Sequence, residues 1–306
     1  METTPIFEQI DLYVGNTEGY QFLRIPSLVM TVSGTVLAFC EGRRDGREDS
    51  GDIDLVLRRS EDGGQTWSPL QVVWNDSGNT CGNPCPVVDQ YTGVILLLMT
   101  HNSGQDRSPE MHAGTALGTR TVWVSRSDDD GRTWSEPVEI TESTKAPSWT
   151  WYATGPGAGI QLKGGRLLIP CDHTLTTDHY FSHVIYSDDH GETWSIGGIV
   201  PDRQVNECEI VELGDGKLLI NMRNYGQDQH TRATSISHDG GMSWSPTSHD
   251  RTLIEPVCQG SIRRFTKSDR DFFLFSNPAS PPSRFIRAIA RSSCCWRNRN
   301  KDDLQL

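Results

Sequence analysis

Short apolar runs alternate with polar residues along most of the chain, at the period of two that is typical of β-strands. IDLVLRRS, TVWVSRS, HVIYS and TRATSIS are such runs, and GTVLAFCEG, GVILLLMTH, GRLLIPCD and GKLLINMRN lie between them. Clusters of Gly, Asp, Asn and Pro separate the runs, as expected for strands joined by turns. No amphipathic helical stretch of convincing length occurs. The pattern predicts an all-β fold.

An eight-residue motif with the pattern S-x-D-x-G-x-[TS]-W follows four of these strands. It occupies residues 60–67, 127–134, 187–194 and 237–244, so that its serines are 67, 60 and 50 residues apart. This interval suits one four-stranded propeller blade and a loop. Evenly spaced groups of four strands favour a β-propeller over a β-sandwich. A closed propeller would use residues 1–306 as one domain.

The residue types of the motif predict a turn with a structural role. Gly at the fifth position supplies the positive φ that such a turn needs. The Asp and the Ser or Thr side chains can form hydrogen bonds with the backbone of the turn. The Trp ring is large enough to anchor the hairpin to its blade. We therefore expect these turns to be scaffold rather than ligand sites.

The charge of the chain restricts the classes of partner. Its formal net charge is −12 over 306 residues. Nucleic acids and anionic membranes attract basic surfaces, so neither is an expected partner. An anionic substrate would require a local cluster of arginines that overcomes the overall negative field.

Neither a targeting segment nor a metal site is expected. The amino terminus lacks a basic region followed by an apolar run, and no stretch is apolar for eighteen residues, which favours a cytoplasmic protein. The eight cysteines are scattered, which predicts free buried thiols rather than disulfides. Cys81 and Cys85 lack a second ligand pair with zinc spacing. The acidic run at 128–131 lacks the twelfth-position Glu of a calcium loop, and no cofactor is expected.

Nine segments together resemble the sialidase (neuraminidase) family. The repeated turns resemble the Asp-boxes of that family, and Arg24-Ile25-Pro26 resembles its amino-terminal signature. Four further segments agree, namely EGR at 41–43, TGPG at 154–157, NECEIVEL at 206–213 and FSNPA at 275–279. The resemblance covers residues 20 to 284. It implies a six-bladed propeller that hydrolyses terminal α-linked sialic acid with retention of configuration.

The resemblance also implies roles for individual residues. Sialic acid carries a carboxylate on its anomeric carbon, which Arg24, Arg223 and Arg284 would bind as the arginine triad of the family. Arg24 lies in an otherwise apolar strand, whereas Arg58 and Arg132 are more typical of solvated surface charges. The remaining residues that match family positions are the acid/base Asp49, the base Glu207 that activates the nucleophile, and the substrate contacts Glu41, Arg43 and Asn83. Glu209 and Glu212, which share the strand of Glu207, are expected to be structural or exposed.

The family nucleophile is a tyrosine, and here the sequence departs from the pattern. A neutral phenol avoids the repulsion that a carboxylate would meet at a carbon bearing a carboxylate. The family tyrosine lies beyond the third arginine, but the last tyrosine of this chain is Tyr225. Tyr152 and Tyr225 are the nearest candidates, and neither fits the motif.

The segment after Arg284 differs in composition from the rest of the chain. Residues 285–306 are basic, contain the pair Cys294-Cys295, and show neither an alternating strand nor a fifth Asp-box. We interpret them as a frameshifted or alternatively spliced end that replaces roughly a blade, and a genuinely divergent tail is the alternative. The replacement predicts an incomplete last blade and an open sheet edge.

Three functions remain open at the level of sequence. The first is an exo-α-sialidase acting on sialylated glycoproteins, oligosaccharides or gangliosides. The second is a catalytically impaired propeller that binds sialosides without the Tyr nucleophile. The third is a scaffold propeller in which only the Asp-boxes matter. Loss of sialic acid binding in Arg24→Ala would separate the third from the others.

Overall fold

A computed structural model describes residues 9–175, 179–226, 230–267, 270–280 and 296–297. Strands form nearly all of its regular structure, as the alternating pattern predicts. The two helices among the described residues are short, α1 (Ser108–Ala113) and α2 (Thr141–Thr144). No helix in this part of the chain is long and apolar enough to cross a membrane.

The strands form consecutive antiparallel groups, which we call units 1 to 5. Unit 1 contains β1 (Phe22–Met30), β2 (Val36–Arg43), β3 (Ile53–Ser60) and β4 (Gln71–Trp74). Unit 2 contains β5 (Thr80–Val88), β6 (Ile95–Asn102), β7 (Thr121–Ser127) and β8 (Val138–Glu139). Unit 3 contains β9 (Trp151–Thr154), β10 (Ile160–Gln161), β11 (Leu167–Thr174), β12 (Tyr180–Ser187) and β13 (Ser195–Ile199). Unit 4 contains β14 (Val205–Glu212), β15 (Leu218–Asn224), β16 (Thr231–Ser237) and β17 (Ser248–Ile254).

Unit 5 contains β18 (Ser261–Lys267), β19 (Arg270–Ser276) and β20 (Trp296–Arg297). Two residues of the tail join the sheet of this unit, since Trp296 pairs with Phe273 and Arg297 with Phe272. A two-residue strand has too short an alternation to be recognised in a sequence. The six-blade count stays a prediction, since the described residues show five units.

Each unit is a meander of neighbouring strands, and units 1 and 2 are joined by one parallel bridge between Ile53 and Thr80. The first, second and third strands of units 1, 2 and 4 follow one another in antiparallel order. The start of the first strand, the end of the second and the start of the third therefore share one edge of the unit. The four Asp-boxes follow the ends of β3, β7, β12 and β16, at the opposite edge.

The Asp-box turns have the predicted structure. In the second copy, the Thr133 amide donates to Asp129 Oδ1 (2.8 Å) and its hydroxyl donates to Asp129 Oδ2 (2.6 Å). The Gly131 amide donates to Ser127 Oγ (2.9 Å), and Gly131 has a φ of 77°. The hydroxyl of Thr133, with smaller contributions from other donors, lowers the pKa of Asp129 to about 2.

The same turns also pack on the preceding unit. The Trp134 ring meets the edge of Phe39 in unit 1, with 5.6 Å between ring centroids. A Cβ atom added to Gly191 would lie 2.1 Å from Leu96 Cδ1 in unit 2. Glycine at the fifth position thus satisfies both the positive φ and the close contact between units.

Irregular backbone occurs in the first strands of units 1, 2 and 4, and directly after the first strand of unit 3. β1 has a register shift between Arg24 and Ser27, and β5 has one between Gly82 and Cys85. In each case a residue with positive φ precedes a proline, Ile25 (φ 57°) in β1 and Asn83 (φ 52°) in β5. A proline cannot donate to the ladder, so the strand bulges at that point. Unit 3 has a related Gly-Pro interruption between β9 and β10 in the TGPG segment.

The core lies between successive units. Apolar residues from adjacent units form three large buried clusters. One cluster spans units 2 and 3, and another spans units 3 and 4. Five of the cysteines in the described part of the chain are buried, and Cys258 is partly exposed. All six are free thiols, as predicted, and Cys294 and Cys295 lie outside the described residues.

Candidate active site

Nearly all the sequence-predicted site residues that the structure describes lie at the edge opposite the Asp-boxes. Arg24 is near the start of β1, and Glu41 and Arg43 are at the end of β2. Arg24 and Glu41 are direct partners across the two strands. Glu207 near the start of β14 and Arg223 near the end of β15 occupy the corresponding places in unit 4.

A buried ion pair between Glu41 and Arg43 forms the base of the site in unit 1. Arg43 Nε and Nη2 donate to Glu41 Oε2, at 2.9 and 2.5 Å. The other oxygen, Glu41 Oε1, accepts from the backbone amide of Asn83 at 2.8 Å. Both side chains are almost completely buried, so the two opposite charges compensate each other. Glu41, Arg43 and Asn83 are thus brought together as the sequence predicts.

Asp49 lies above this pair, in the loop that joins β2 to β3. Its Oδ1 atom accepts from Arg43 Nη2 at 2.8 Å and lies 3.4 Å from Arg24 Nη1. The side chains of Asp49 and Arg24 are 53% and 44% exposed, so both are accessible to a ligand. Burial raises the pKa of Asp49, but Arg43, then Arg24 and Arg120, outweigh this and hold the pKa below its ordinary value.

Arg120, just before β7, is a site residue that the sequence reasoning missed. It is fully buried, and its guanidinium carbon lies 3.9 Å from the centre of the Trp151 ring. Nε donates to Asn102 Oδ1 (3.0 Å), Nη1 to Asn83 Oδ1 (2.9 Å) and Nη2 to the Asp49 carbonyl (2.9 Å). Burial lowers its pKa to about 10. The sequence contained one indication of this residue. A Thr-Arg pair occurs near the start of the third strand of unit 2 and again, at Arg232, in unit 4.

Glu207 and Arg223 form the second charged pair of the site. Arg223 Nη1 donates to Glu207 Oε2 at 2.6 Å, and the two side chains are 11% and 20% exposed, respectively. The guanidinium of Arg223 also lies over the Tyr225 ring, 4.6 Å from its centre. The spacing of sixteen residues reflects a strand, a turn and a return strand that bring the two side chains together.

A second, deeper ion pair supports this part of the site. Arg232 Nη1 donates to Glu255 Oε2 at 2.6 Å, and both side chains are fully buried. Arg232 Nε donates to Asn221 Oδ1 at 2.6 Å, and Glu255 Oε1 accepts from the Asn224 amide at 2.7 Å. These bonds fix the residues of β15 on either side of Arg223, namely Asn221 and Asn224.

Asp172, near the end of β11, lies within electrostatic reach of Glu207, Arg223 and Arg120. It is 1% exposed, and neither of its carboxyl oxygens has a hydrogen-bond partner of good geometry among the described residues, although Trp151 lies beside it. Burial raises its pKa well above the ordinary value, Glu207 adds to this effect, and Arg223 and Arg120 oppose it. Burial therefore favours the protonated form of Asp172, which lies within electrostatic reach of both halves of the site. Its position in an ordinary apolar strand gave no signal in the sequence.

The two candidate tyrosines differ in their surroundings. Tyr152 is fully buried, and its hydroxyl donates to Cys171 Sγ at 3.3 Å. Tyr225 stacks on Tyr180 with 4.8 Å between ring centroids, and burial raises its pKa. Neither phenol is paired with Glu207 among the described contacts. Arg284, the predicted third arginine, lies outside the described residues.

Three other expectations concern residues outside the site. Glu209 is structural, as expected, since it is 1% exposed and accepts from the Ile262 amide at 2.7 Å. Arg132 is a surface charge, 54% exposed. The same expectation for Arg58 is wrong, because its side chain is 16% exposed and donates to Glu18 and to the Ser68 carbonyl. Its long side chain packs on Tyr13, a contact that local sequence does not predict.

No group of histidine, cysteine or acidic side chains in the described part of the chain could hold a metal ion. The side chains that the structure brings together at this site are cations, carboxyl groups and aromatic rings. Fixed arginines can bind a carboxylate, and a half-exposed carboxyl can transfer a proton.

Known proteins give an independent view of this arrangement. Residues 34–301 match the BNR repeat-like domain. The chain is 34% identical to a sialidase of Micromonospora viridifaciens over 95% of its length, and 35% identical to a sialidase of Paraclostridium sordellii over 94%. A solved structure, the Hadza microbial sialidase, is 33% identical and superimposes over 86% of this chain with a TM-score of 0.79.

The matched part of these proteins is not their whole length. The chain spans 47% of the Micromonospora sialidase, 73% of the Paraclostridium sialidase and 55% of the Hadza microbial sialidase. The propeller fold, the repeated motif and the extent of these matches lead to the same conclusion. The chain belongs to the sialidase family.

Proposed function

We propose that this protein is an exo-α-sialidase that hydrolyses terminal α-linked sialic acid from glycoconjugates with retention of configuration. The observation that carries the proposal is the arrangement around Asp49. A half-exposed carboxyl lies between an accessible arginine, Arg24, and a buried one, Arg43. This arrangement supplies a cation for the sugar carboxylate beside a group that can protonate the leaving oxygen.

Charge balance explains why the cations can bind an anionic sugar in an acidic protein. Arg24 is the most accessible cation of the cluster, and its contact with Asp49 is long at 3.4 Å. A substrate carboxylate can therefore take the place of Asp49 as the partner of Arg24. This local cluster meets the requirement that the net charge of −12 imposes on any anionic substrate.

Substrate binding would also prepare Asp49 for its role as an acid. The pKa of the free carboxyl is held low chiefly by Arg43 and Arg24, against the effect of burial. When the sugar carboxylate pairs with the arginines, their effect on Asp49 weakens and its pKa rises. Asp49 then carries a proton that it donates to the glycosidic oxygen as the bond to the aglycone breaks.

Glu207 is the proposed base for the nucleophile. It would accept the proton of the attacking phenol, which then forms a covalent bond to the anomeric carbon. A water molecule, deprotonated by Asp49, would release the sugar, and Glu207 would return the proton to the phenol. Arg223 holds Glu207 at 2.6 Å and fixes its orientation. Among the described residues, Tyr152 is excluded from the role of nucleophile by its bond to Cys171.

The substrates follow from the same chemistry. A site that recognises the sugar carboxylate and protonates an exposed glycosidic oxygen suits sialylated oligosaccharides, glycoproteins and gangliosides alike. We propose sialylated glycoconjugates as the substrate class on that basis.

Turnover of a fluorogenic methylumbelliferyl α-sialoside tests the proposal. We expect hydrolysis by the full chain, with the α-anomer of sialic acid appearing first in proton NMR spectra. Arg24→Ala should lower kcat/KM by at least about 100-fold, since it removes a charged contact to the carboxylate. Arg132→Ala is the matched control, because Arg132 contacts only the Asp-box region and should leave kcat/KM unchanged.

Two results would contradict the proposal. Binding of sialic acid, measured by calorimetry, without turnover above that of Arg24→Ala would indicate a sialoside-binding protein. Absence of both binding and turnover would leave only a scaffold role for the propeller.

A further inference from the structure

Three segments from two units meet at the guanidinium group of Arg120. Its three nitrogens donate to Asn102 at the end of β6, to Asn83 at the bulge of β5, and to the backbone carbonyl of Asp49. The three distances lie between 2.9 and 3.0 Å. Trp151 covers one face of the group at 3.9 Å. Each guanidinium nitrogen of Arg120 thus donates a hydrogen bond. One of the three bonds, that of Nη2, reaches the loop that carries Asp49.

That loop has little regular structure of its own. Residues 44–52 contain no strand or helix, and their ends are held by the Arg44 amide, which donates to the Asp52 carbonyl at 3.1 Å. Within the loop, Arg43 binds the carbonyls of Arg47 and Glu48. The carbonyl of Asp49 is fixed from the other side of the site by Arg120. Two arginines from different units thus hold consecutive carbonyls of this loop.

We propose that Arg120 is a positioning residue for acid catalysis, which holds the backbone of Asp49 so that its carboxyl faces the glycosidic oxygen. The inference rests on the proposed function and extends it to a residue that does not touch the substrate. A lysine cannot replace this contact, because a single ammonium group cannot make three bonds in the plane of a guanidinium. Arg120 also lies in the field that lowers the pKa of Asp49.

Arg232 provides a matched control. It is as deeply buried as Arg120 and also makes its bonds through a full guanidinium fork, but to Asn221, Glu255 and Cys258. Its contacts support β15, which carries Arg223, and it has no contact with Asp49. A loss of packing alone should affect the two arginines alike, whereas a role in acid catalysis should distinguish them.

Leaving-group dependence separates acid catalysis from substrate binding. A nitrophenolate leaves without a proton, whereas the sugar alcohol released from 3′-sialyllactose needs one from the acid. We expect Arg120→Lys to lower kcat/KM for 3′-sialyllactose by about 100-fold, because a small displacement of a catalytic group has an effect of this size. The loss for 4-nitrophenyl sialoside should stay below about tenfold. Arg232→Lys should lower both values by the same factor.

Hydrogen–deuterium exchange gives a readout that does not need turnover. Backbone amides in residues 44–52 should exchange faster in Arg120→Lys than in the parent protein, and at the parental rate in Arg232→Lys. Arg120→Gln, which keeps two hydrogen-bond donors without the charge, should show the same exchange if the lysine variant melts below the assay temperature. Thermal melting of each variant establishes that it is folded.

The outcomes separate the inference from the proposed function. Equal losses on both substrates, or unchanged exchange in residues 44–52, would overturn the positioning role of Arg120. If the parent protein hydrolyses neither sialoside, the proposed function fails. The exchange experiment then still decides whether Arg120 fixes the loop, with faster exchange supporting that contact and unchanged exchange refuting it.

Discussion

The Asp-box turns lie at one edge of the units, and the charged cluster of the candidate site, around Asp49 and Arg223, lies at the opposite edge. The two edges differ in the sequence separation of the residues that they join. Each Asp-box closes on itself through bonds between residues at most four positions apart, such as Asp129 with Thr133. The cluster joins residues far apart in sequence, such as Asp49 with Arg120. One edge repeats the same structure four times, and the other differs from unit to unit.

This difference shows how a repeated fold can carry a single site. Local hydrogen bonds reproduce a turn wherever its motif occurs, so the Asp-box edge keeps the units uniform. At the other edge, equivalent strand positions carry different side chains. Glu41, Thr100 and Asp172 occupy similar places near the ends of β2, β6 and β11. The shared backbone brings these different groups together.

The largest expected effect is at the cluster. Glu207→Gln keeps the shape of the side chain but removes the base, so kcat for a fluorogenic sialoside should fall by about 1000-fold. Glu212→Gln, on the same strand, should leave kcat unchanged. Equal effects of the two substitutions would show that Glu207 has no special role.

A comparable effect on stability is expected at the ion pair beneath the cluster. Glu255→Ala leaves Arg232 charged and fully buried, which should lower the free energy of unfolding by about 4 kcal/mol. Glu61→Ala breaks an exposed pair with Arg132 on the Asp-box edge and should cost less than about 1 kcal/mol. Urea denaturation measures both, and similar losses would contradict the contrast between the two edges.

The Asp-box edge should be sensitive to glycine substitution where units pack. Gly191→Ala forces a side chain into a φ of 90° and against Leu96, which should lower the free energy of unfolding by about 3 kcal/mol. Gly34 also has a φ of 90° but has no neighbour within 4 Å of an added Cβ. Gly34→Ala should therefore cost only about 1 kcal/mol. Equal losses for the two variants would mean that backbone strain, and not packing between units, accounts for the requirement for glycine at position 191.

A smaller effect depends on pH and concerns two buried histidines between the edges. Burial lowers the pKa of His173 to about 3 and that of His183 well below its ordinary value, and their Nδ1 atoms lie 3.1 Å apart. The unfolded chain binds protons below pH about 6.5, whereas the folded protein does not, so stability falls as the pH drops below that value. Between pH 6.5 and 5 the loss should be about 1.7 kcal/mol for each of the two histidines.

His183→Gln should reduce this loss in urea denaturation measured at the two pH values. The same substitution at the exposed His238 should leave the pH dependence unchanged. A parental slope in His183→Gln would assign the acid sensitivity to other groups.

Family motifs named most of the residues of the candidate site in advance. The structure brings two groups of them together, and their roles stay predictions. The first group is Arg24, Glu41, Arg43, Asp49 and Asn83, and the second is Glu207 and Arg223. Arg120 and Asp172 could not be found in this way, because each is an ordinary residue at or near a strand end until its neighbours are known. The short strand β20 was also missed, since two residues carry no periodicity.

The sequence by itself determined the strands, the Asp-box turns and the family, because each depends on residues close together in the chain or on motifs read in order. Only the tertiary structure decided which charges meet. It placed Arg120 against the Asp49 carbonyl and buried Asp172 within electrostatic reach of Glu207, Arg223 and Arg120. The physical reason is that burial and electrostatic coupling depend on distances across units, and strand patterns contain no information about those distances.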